Sequence, residues 1–378
     1  MEPEVTERVR EIISKCDICD ECLGRQFHSL SPRIPNRDSG RILREQVALE
    51  DSKKGAEPKY IKPEKCCLCK NLFLDAEKYA GKIIEVSKDY EYETFLIGSI
   101  FPDDIIVKEE EFWEEHGIDT CESIKTNFNR SVGLRFREKT GKKIEFEKPD
   151  LMAIVDIAKN EIILQISPLF IKGGYKKLLP KGKVQQVIEK ILLEKTEAKE
   201  AVFYSVGRLE ENTLTAAYRP FVLMLRTPKK RKLKLTKLRQ EINKDKSISV
   251  SRLTFSSKEE LDLMKSDKIA ANFLITLKFE KLTDEDKKEI SEILKGLRKK
   301  RVVQVLKQKV RKPYMRKMSP KFEDSKMILE LETTVGFSVN SFLTGKSRPN
   351  LEKLLGRKFE IESIVLRRFK TMKAKDMY

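Results

Sequence analysis

Histidine is nearly missing: His28 and His116 are the only two in 378 residues. So sparse a supply argues against catalysis built on imidazole, the commonest proton carrier near neutral pH. Long apolar runs are missing too. Stretches such as residues 272–277 fall far below the roughly 20 residues that span a bilayer. The first residues alternate acidic and basic side chains and offer no apolar leader core, so the expected compartment is the cytoplasm, with no membrane association. No segment repeats at a fixed period, which argues against solenoids and propellers. The cysteine count of 7 is odd, which fits poorly with a disulfide framework in such a compartment.

Charge is abundant. Lys and Arg number 78 against 60 Asp and Glu, a net charge of +18. Acidic side chains crowd the first half, as at Glu109, Glu110, Glu111, Glu114 and Glu115. Basic runs dominate later, at 229–232, 298–301 and 307–317. An excess this large repels itself unless a polyanion binds, so nucleic acid is the expected partner.

Periodicity points to an α+β chain with antiparallel sheet. Val5, Val9, Ile12 and Ile13 share a helical face before the first cysteines. Residues 30–65 show little period and read as a connector. Short strands are expected at 83–86 and 94–98, and a helix over 120–139 closed by Gly141. Runs 151–156 and 161–166 form a hairpin around 158–160, and 181–199 is a polar, partly helical link and a candidate domain boundary. Strands resume at 201–206 and 221–225. A helix begins at Thr283 with Asp286 completing a capping box and Ile290, Ile293, Leu294 and Leu297 as its buried stripe. Further strands are expected at 301–306, 327–331 and 361–366.

Six cysteines fall in two clusters. Cys19-Asp-Glu-Cys22 and Cys66-Cys-Leu-Cys69 are two C-x-x-C knuckles, each able to turn two thiolates onto one ion. Together Cys19, Cys22, Cys66 and Cys69 make a closed tetrahedral set, the arrangement of structural zinc. Cys16 and Cys67 are extra sulfurs beside it.

The blocks around these knuckles carry a resemblance. Cys19-Asp-Glu-Cys-Leu-Gly-Arg-Gln-Phe27 followed by Cys66-Cys-Leu-Cys69 resembles the zinc-bearing start of the Pus-ten family of archaeal and eukaryotic tRNA pseudouridine synthases. Phe128-Asn-Arg130, Pro149-Asp-Leu-Met-Ala-Ile-Val-Asp156 and Gln165-Ile-Ser-Pro-Leu-Phe-Ile-Lys-Gly-Gly-Tyr-Lys-Lys-Leu178 resemble its THUMP-type RNA-binding region. Ser205-Val-Gly-Arg208, Arg219-Pro-Phe221 and Pro228-Lys-Lys-Arg231 resemble the surroundings of its nucleophile, and Gly345-Lys-Ser-Arg-Pro349 with Leu354-Leu-Gly356 its C-terminal signature. The resemblance spans nearly the whole chain in collinear order. It implies a zinc-binding region at 1–75, a THUMP-like region at 76–195 and a pseudouridine-synthase-like, antiparallel mixed-sheet domain at 196–378. It further implies a cofactor-free isomerase acting on uridines 54 and 55 in the T arm of tRNA, working as a monomer.

Within that resemblance the catalytic positions depart from the family. Where the family reads Gly-Arg-Glu-Asp, this chain reads Gly207-Arg208-Leu209-Glu210, which puts Glu210 at the nucleophile position with its carboxylate one methylene further out. Ala270 and Ser338 stand where the family has tyrosines, and Asn340 replaces a lysine. Arg208, Arg219, Lys172, Lys176 and Lys177 are the expected phosphate contacts, and Tyr175 either stacks on RNA or packs a sheet edge. Three readings follow: an active synthase using Glu210, a tRNA-binding pseudoenzyme acting as chaperone or recruiter, or a zinc-containing structural protein of an RNA assembly. For the second, rescue of activity is expected to need Glu210→Asp together with Ala270→Tyr.

Overall fold

The computed structural model describes residues 3–55, 63–178, 183–206, 213–265, 269–306, 309–334, 336–345 and 347–371. Contacts divide the chain into two compact units, Met1–Ser167 and Pro168–Tyr378.

The first unit begins with α1 (Pro3–Lys15), α2 (Asp20–Gln26), α3 (Asn36–Lys53) and α4 (Ala76–Ser87). It continues through β1 (Thr94–Ile100), α5 (Asp103–His116), α6 (Ile124–Thr140), β2 (Lys143–Ile144), β3 (Leu151–Asp156) and β4 (Glu161–Ile166). Val9 and Ile12 of α1 are buried, as their spacing requires. Two expectations fail here. The 30–65 connector contains the 18-residue helix α3. Its buried face is mostly Asn36, Ser39, Gly40 and Arg44, with only Leu43 and Val47 apolar, so no hydrophobic period announces it. The expected strand at 83–86 is the end of α4, because Tyr79, Ala80, Ile83 and Ser87 recur at helical spacing.

Helices α2 and α3 cross backbone to backbone. A Cβ at Gly24 would lie 1.8 Å from the Asn36 carbonyl oxygen, and one at Gly40 equally close, at 1.8 Å, to that of Asp20. Only glycine permits that approach at either position. The sheet runs β2-β1-β3-β4, with β1 parallel to both neighbours and β3–β4 the expected hairpin. Phe95, Ile97, Leu151, Ala153 and Val155 form its buried face in one core with α4 and α6. Ser123 caps α6 and Gly141, at φ 66°, ends it.

The second unit opens with β5 (Leu169–Lys177), α7 (Val184–Thr196), β6 (Glu200–Ser205), β7 (Thr213–Thr215) and β8 (Arg219–Arg226). Next come α8 (Leu235–Ile242), β9 (Ile248–Val250), β10 (Thr254–Ser256), α9 (Lys258–Lys265), β11 (Ile269–Lys278) and α10 (Asp284–Leu297). The chain then forms β12 (Lys300–Arg301), β13 (Val303–Leu306), β14 (Lys309–Arg311), β15 (Tyr314–Glu323) and β16 (Lys326–Thr334). It finishes with α11 (Val339–Leu343), β17 (Ser347–Arg348), α12 (Leu351–Leu355) and β18 (Glu360–Thr371).

These strands make a five-stranded sheet (β10-β5-β8-β6, with β9 also on β5), a six-stranded sheet (β12-β15-β16-β11-β18-β7) and a three-stranded one (β14-β13-β17). Pairing in this unit is antiparallel except β7–β18, so the α+β expectation holds. The capping box at Thr283 and Asp286 forms both of its bonds, and Ile290 and Leu294 sit in the core with Ile293 and Leu297 packed against it.

The unit boundary falls at 167/168, where the resemblance implied 195. The reason is pairing: β5 joins β8 from Leu169↔Leu225 to Tyr175↔Arg219, and Ile188 and Leu192 of α7 fill the same core. A partner some fifty residues downstream leaves no trace in local periodicity.

Candidate metal centre and motif residues

Cys19 sits at the N-cap of α2, its Sγ accepting from Cys22 N at 3.5 Å, so the start of the helix presents two sulfurs one turn apart. The second knuckle follows at Cys66, whose amide donates to Asn71 Oδ1 at 2.9 Å, with Lys70 and Asn71 at positive φ completing the turn. Cys19 N donates to Cys66 Sγ at 3.3 Å, which docks one knuckle on the other.

The ligand atoms of Cys19, Cys22, Cys66 and Cys69 all lie within 4.8 Å of one another. The Sγ atoms of Cys19 and Cys69 are 3.6 Å apart. A tetrahedral ion with sulfurs at ~2.3 Å sets them ~3.8 Å apart, so the set fits one closed ion. Burial pushes the Cys22 thiol well above its ordinary value, and a bound cation supplies what its thiolate lacks there. The expected four-cysteine cluster is therefore assembled as a candidate metal centre, within the core rather than on its surface.

The extra sulfurs are also placed. Cys16 and Cys67, left as extra sulfurs by the sequence, form a disulfide with Cα atoms 6.4 Å apart, a single bridge rather than a framework. The cause is local. Cys67 N donates to Asp17 O at 2.9 Å, which sets the residues flanking the two knuckles face to face.

The rest of the first motif is structural. Arg25 is 1% exposed and forms a buried ion pair with Glu109, and its Nη1 also donates to Glu122 O at 3.1 Å. Glu109 in turn accepts from Ile124 N at 2.7 Å, and Gln26 Nε2 donates to Gly117 O at 2.6 Å. The motif thus stitches α2 to α5 and to the start of α6. Deleting Arg25 leaves a buried carboxylate without its charge partner, so Arg25→Met is expected to destabilise the unit by about 3–5 kcal/mol. Chemical denaturation checks this, and a loss below about 1 kcal/mol would show that Glu109 is protonated in place. Sequence reading gave Glu109 no individual role, because its only signal was membership of an acidic run.

In the second unit, Arg208 and Glu210 lie outside the described residues. The elements on either side are informative. The chain leaves the five-stranded sheet at Ser205 and joins the six-stranded sheet at Thr213. Arg219 was expected on phosphate, yet it is 2% exposed. Its Nε and Nη2 donate to Val206 O at 3.2 and 2.9 Å, while Val206 N donates to Pro220 O at 3.1 Å. Arg219 thus positions the last residue before the motif, a role that a buried guanidinium suits and a phosphate contact does not.

Lys172, Lys176 and Lys177 all lie on β5. Alternation puts Lys172 and Lys176 on one face and Lys177 on the other. Lys172 is engaged by Glu260, and Lys176 Nζ stands 4.7 Å from the Tyr218 ring centre. Tyr175 packs inside, its ring centre 5.8 Å from Phe203 and 6.2 Å from Phe221, which favours the sheet-packing alternative. Gly173 and Gly174 leave room for Leu253 and Tyr218, since a Cβ at either glycine would lie 2.8 Å from those side chains.

Ala270 is 0% exposed on β11, between Thr334 and Lys370. Ser338 caps α11, its Oγ accepting from Ser341 N at 3.2 Å. Its backbone is clamped by fully buried Gln304, which accepts from Ser338 N at 2.8 Å and donates to Ser338 O at 2.9 Å. Gln304 was not singled out in the sequence, because a glutamine within a strand run gives no signal of its own.

Comparison with known proteins agrees with this architecture. The family model described as "Pus10 THUMP domain, archaeal" matches residues 79–156, and that described as "Pus10, C-terminal" matches 163–366. The tRNA pseudouridine synthase Pus10 of Pyrococcus furiosus is 29% identical, with 93% of this chain and 95% of that protein covered. The proteins of the same name from Thermofilum pendens and Methanocaldococcus jannaschii are 27% and 28% identical. Those matches cover 92% of this chain in each case, and 91% and 90% of the two relatives.

Proposed function

This chain belongs to the Pus10 family, and from that membership we propose that it binds tRNA, holds one structural zinc ion and has lost the isomerisation for which its relatives are named. One observation carries the loss of activity. The two positions matching family tyrosines hold small residues built into the interior, Ala270 in a central strand and Ser338 as a clamped helix cap. Forming pseudouridine requires a base flipped from its stack and held in a pocket. Base–aromatic stacking is worth about 1–3 kcal/mol, and neither side chain supplies it. The all-sulfur ligand set supports zinc over harder cations. No helix among the described residues is long and apolar enough to cross a membrane, and tRNA as partner points to the cytoplasm.

The second reading, an active synthase of T-arm uridines 54 and 55 with Glu210 as nucleophile, is favoured by the two Arg219 bonds that fix Val206 just before the motif. Two measurements separate the readings and test the substrate. Affinity for folded tRNA should fall about a hundredfold or more between about 50 and 200 mM salt, and should exceed affinity for unstructured RNA. A flat salt response or equal affinities would overturn the tRNA claim. Mapping pseudouridine in a tRNA transcript incubated with the protein should find none, and conversion over several turnovers would favour Glu210 as a working nucleophile.

A further inference from the structure

A groove of about 720 Å3 in the first unit runs along β1 and is lined by Leu96, Ile97, Ile100, Leu134, Phe146 and Met152 among others. One wall is an open sheet edge. β1 pairs with β3 from Phe95 to Ile100, but with β2 only at Thr94 and Phe95. The carbonyls of Glu93 and Phe95 accept from Lys143 and Glu145, on the β2 side, and that of Ile100 accepts from Ile157 on the β3 side. Alternate residues direct their N–H and C=O groups to opposite sides, so Ile97 and Ser99 aim theirs at the groove. Among the described residues no strand meets them there. An edge in that condition is a template for one more strand.

The other wall is α6, which runs antiparallel to β1. Phe136 packs on Phe95 with ring centres 4.6 Å apart, and Ser99 Oγ donates to Asn129 Oδ1 at 2.7 Å. Two glycines line the middle of the groove, Gly98 on the strand and Gly133 on the helix. Neither has a positive φ. A Cβ at Gly98 would meet side chains and no neighbouring backbone, Met152 Cε at 3.1 Å and Ile154 Cγ1 at 3.6 Å. A glycine inside the strand leaves that stretch of the groove without a side chain of its own. The groove is also charged at one end. Lys125 and Arg130 stand beside the first turns of α6, past Ile100. Glu122 engages Arg130, whereas Lys125 forms no ion pair among the described residues.

We infer that this groove docks an extended peptide of apolar, β-branched residues, added as a strand parallel to β1 with its C-terminal carboxylate at the Lys125 ammonium. The open edge from Leu96 to Ile100 is five residues, ~17 Å of strand. Backbone bonds to Ile97 and Ser99 supply affinity, and the apolar walls select side chains. A nucleic-acid strand is the competing occupant. It needs cations along its whole length, and here they stand at one end only.

The test titrates the full chain with the fluorescein-labelled hexapeptide Gly-Ser-Val-Thr-Val-Val, its C-terminal amide, and a labelled oligouridylate, reading anisotropy and amide hydrogen exchange. Lys125 is exposed and Phe146 is 78% exposed, so Lys125→Glu and Phe146→Ser leave the fold intact. Saturable binding of the acid is expected, weakened about tenfold or more in the amide and in Lys125→Glu, as losing a charge-assisted bond implies. Phe146→Ser should weaken it as well, and exchange should slow at Ile97 and Ser99. No saturable binding, equal binding of acid and amide, or slowed exchange there with oligouridylate rather than peptide would overturn the proposal.

Discussion

Replacing Cys22 and Cys69 together with serine is expected to release the metal and unfold the first unit, not merely loosen its surface. Both thiols are buried, at 1% and 0% exposure, in the same core as Val9, Ile12, Leu23 and Phe27. Structural zinc in small peptides contributes about 10–16 kcal/mol, and a whole domain is stable by only about 5–15 kcal/mol. The unit therefore has no margin from which to absorb the loss. Metal analysis should fall from one zinc per chain to none, with helical circular dichroism lost over the first unit. The measurement belongs in reductant, because the Cys16–Cys67 bridge ties the same two segments. Zinc retained by the double variant, or a cooperative thermal transition unchanged without it, would sink the assignment.

Glu210→Asp, the second large case, is expected to leave pseudouridine formation undetectable, a deficit of several orders of magnitude against a working synthase. A shorter carboxylate corrects one part of a pocket whose parts act together, and such effects are strongly non-additive. The sequence alone suggested that adding Ala270→Tyr would complete a rescue. The structure argues otherwise. Ala270 has no exposed surface and lies between two paired strands, so a ring there overpacks the sheet and costs about 1–3 kcal/mol. Ala270→Tyr should thus lower the thermal midpoint and restore nothing, alone or with Glu210→Asp. Conversion of a T-arm uridine by the unmodified protein, abolished in Glu210→Ala, would show the pseudoenzyme reading to be wrong.

Local chemistry was legible before any coordinates. Two C-x-x-C knuckles predict a cluster because a four-residue turn by itself brings two sulfurs together, and that cluster is present. Thr283 and Asp286 predict a helix start through bonds that span three residues. The 151–166 hairpin is likewise complete within sixteen residues of chain, its turn passing through Asn160 at φ 56°. The +18 charge and its uneven spread needed no fold at all.

Everything that depended on distant partners was decided only by the tertiary structure. Helix α3 forms because Gly40 lets it meet Gly24 backbone to backbone, a contact that leaves no apolar period. Arg219 is an inward clamp on Val206 because β8 pairs with β6, and the same Arg on an unpaired strand would reach solvent. Cys16 finds Cys67 across 51 residues only once both knuckles have docked. Ser338 is a cap because Gln304, 34 residues earlier, is buried beneath it. Sequence determines what a residue offers within a turn or two, where the covalent chain itself limits the geometry. Which offers are taken up is set by burial, because a charge, thiol or amide acquires its role from the groups that replace water around it.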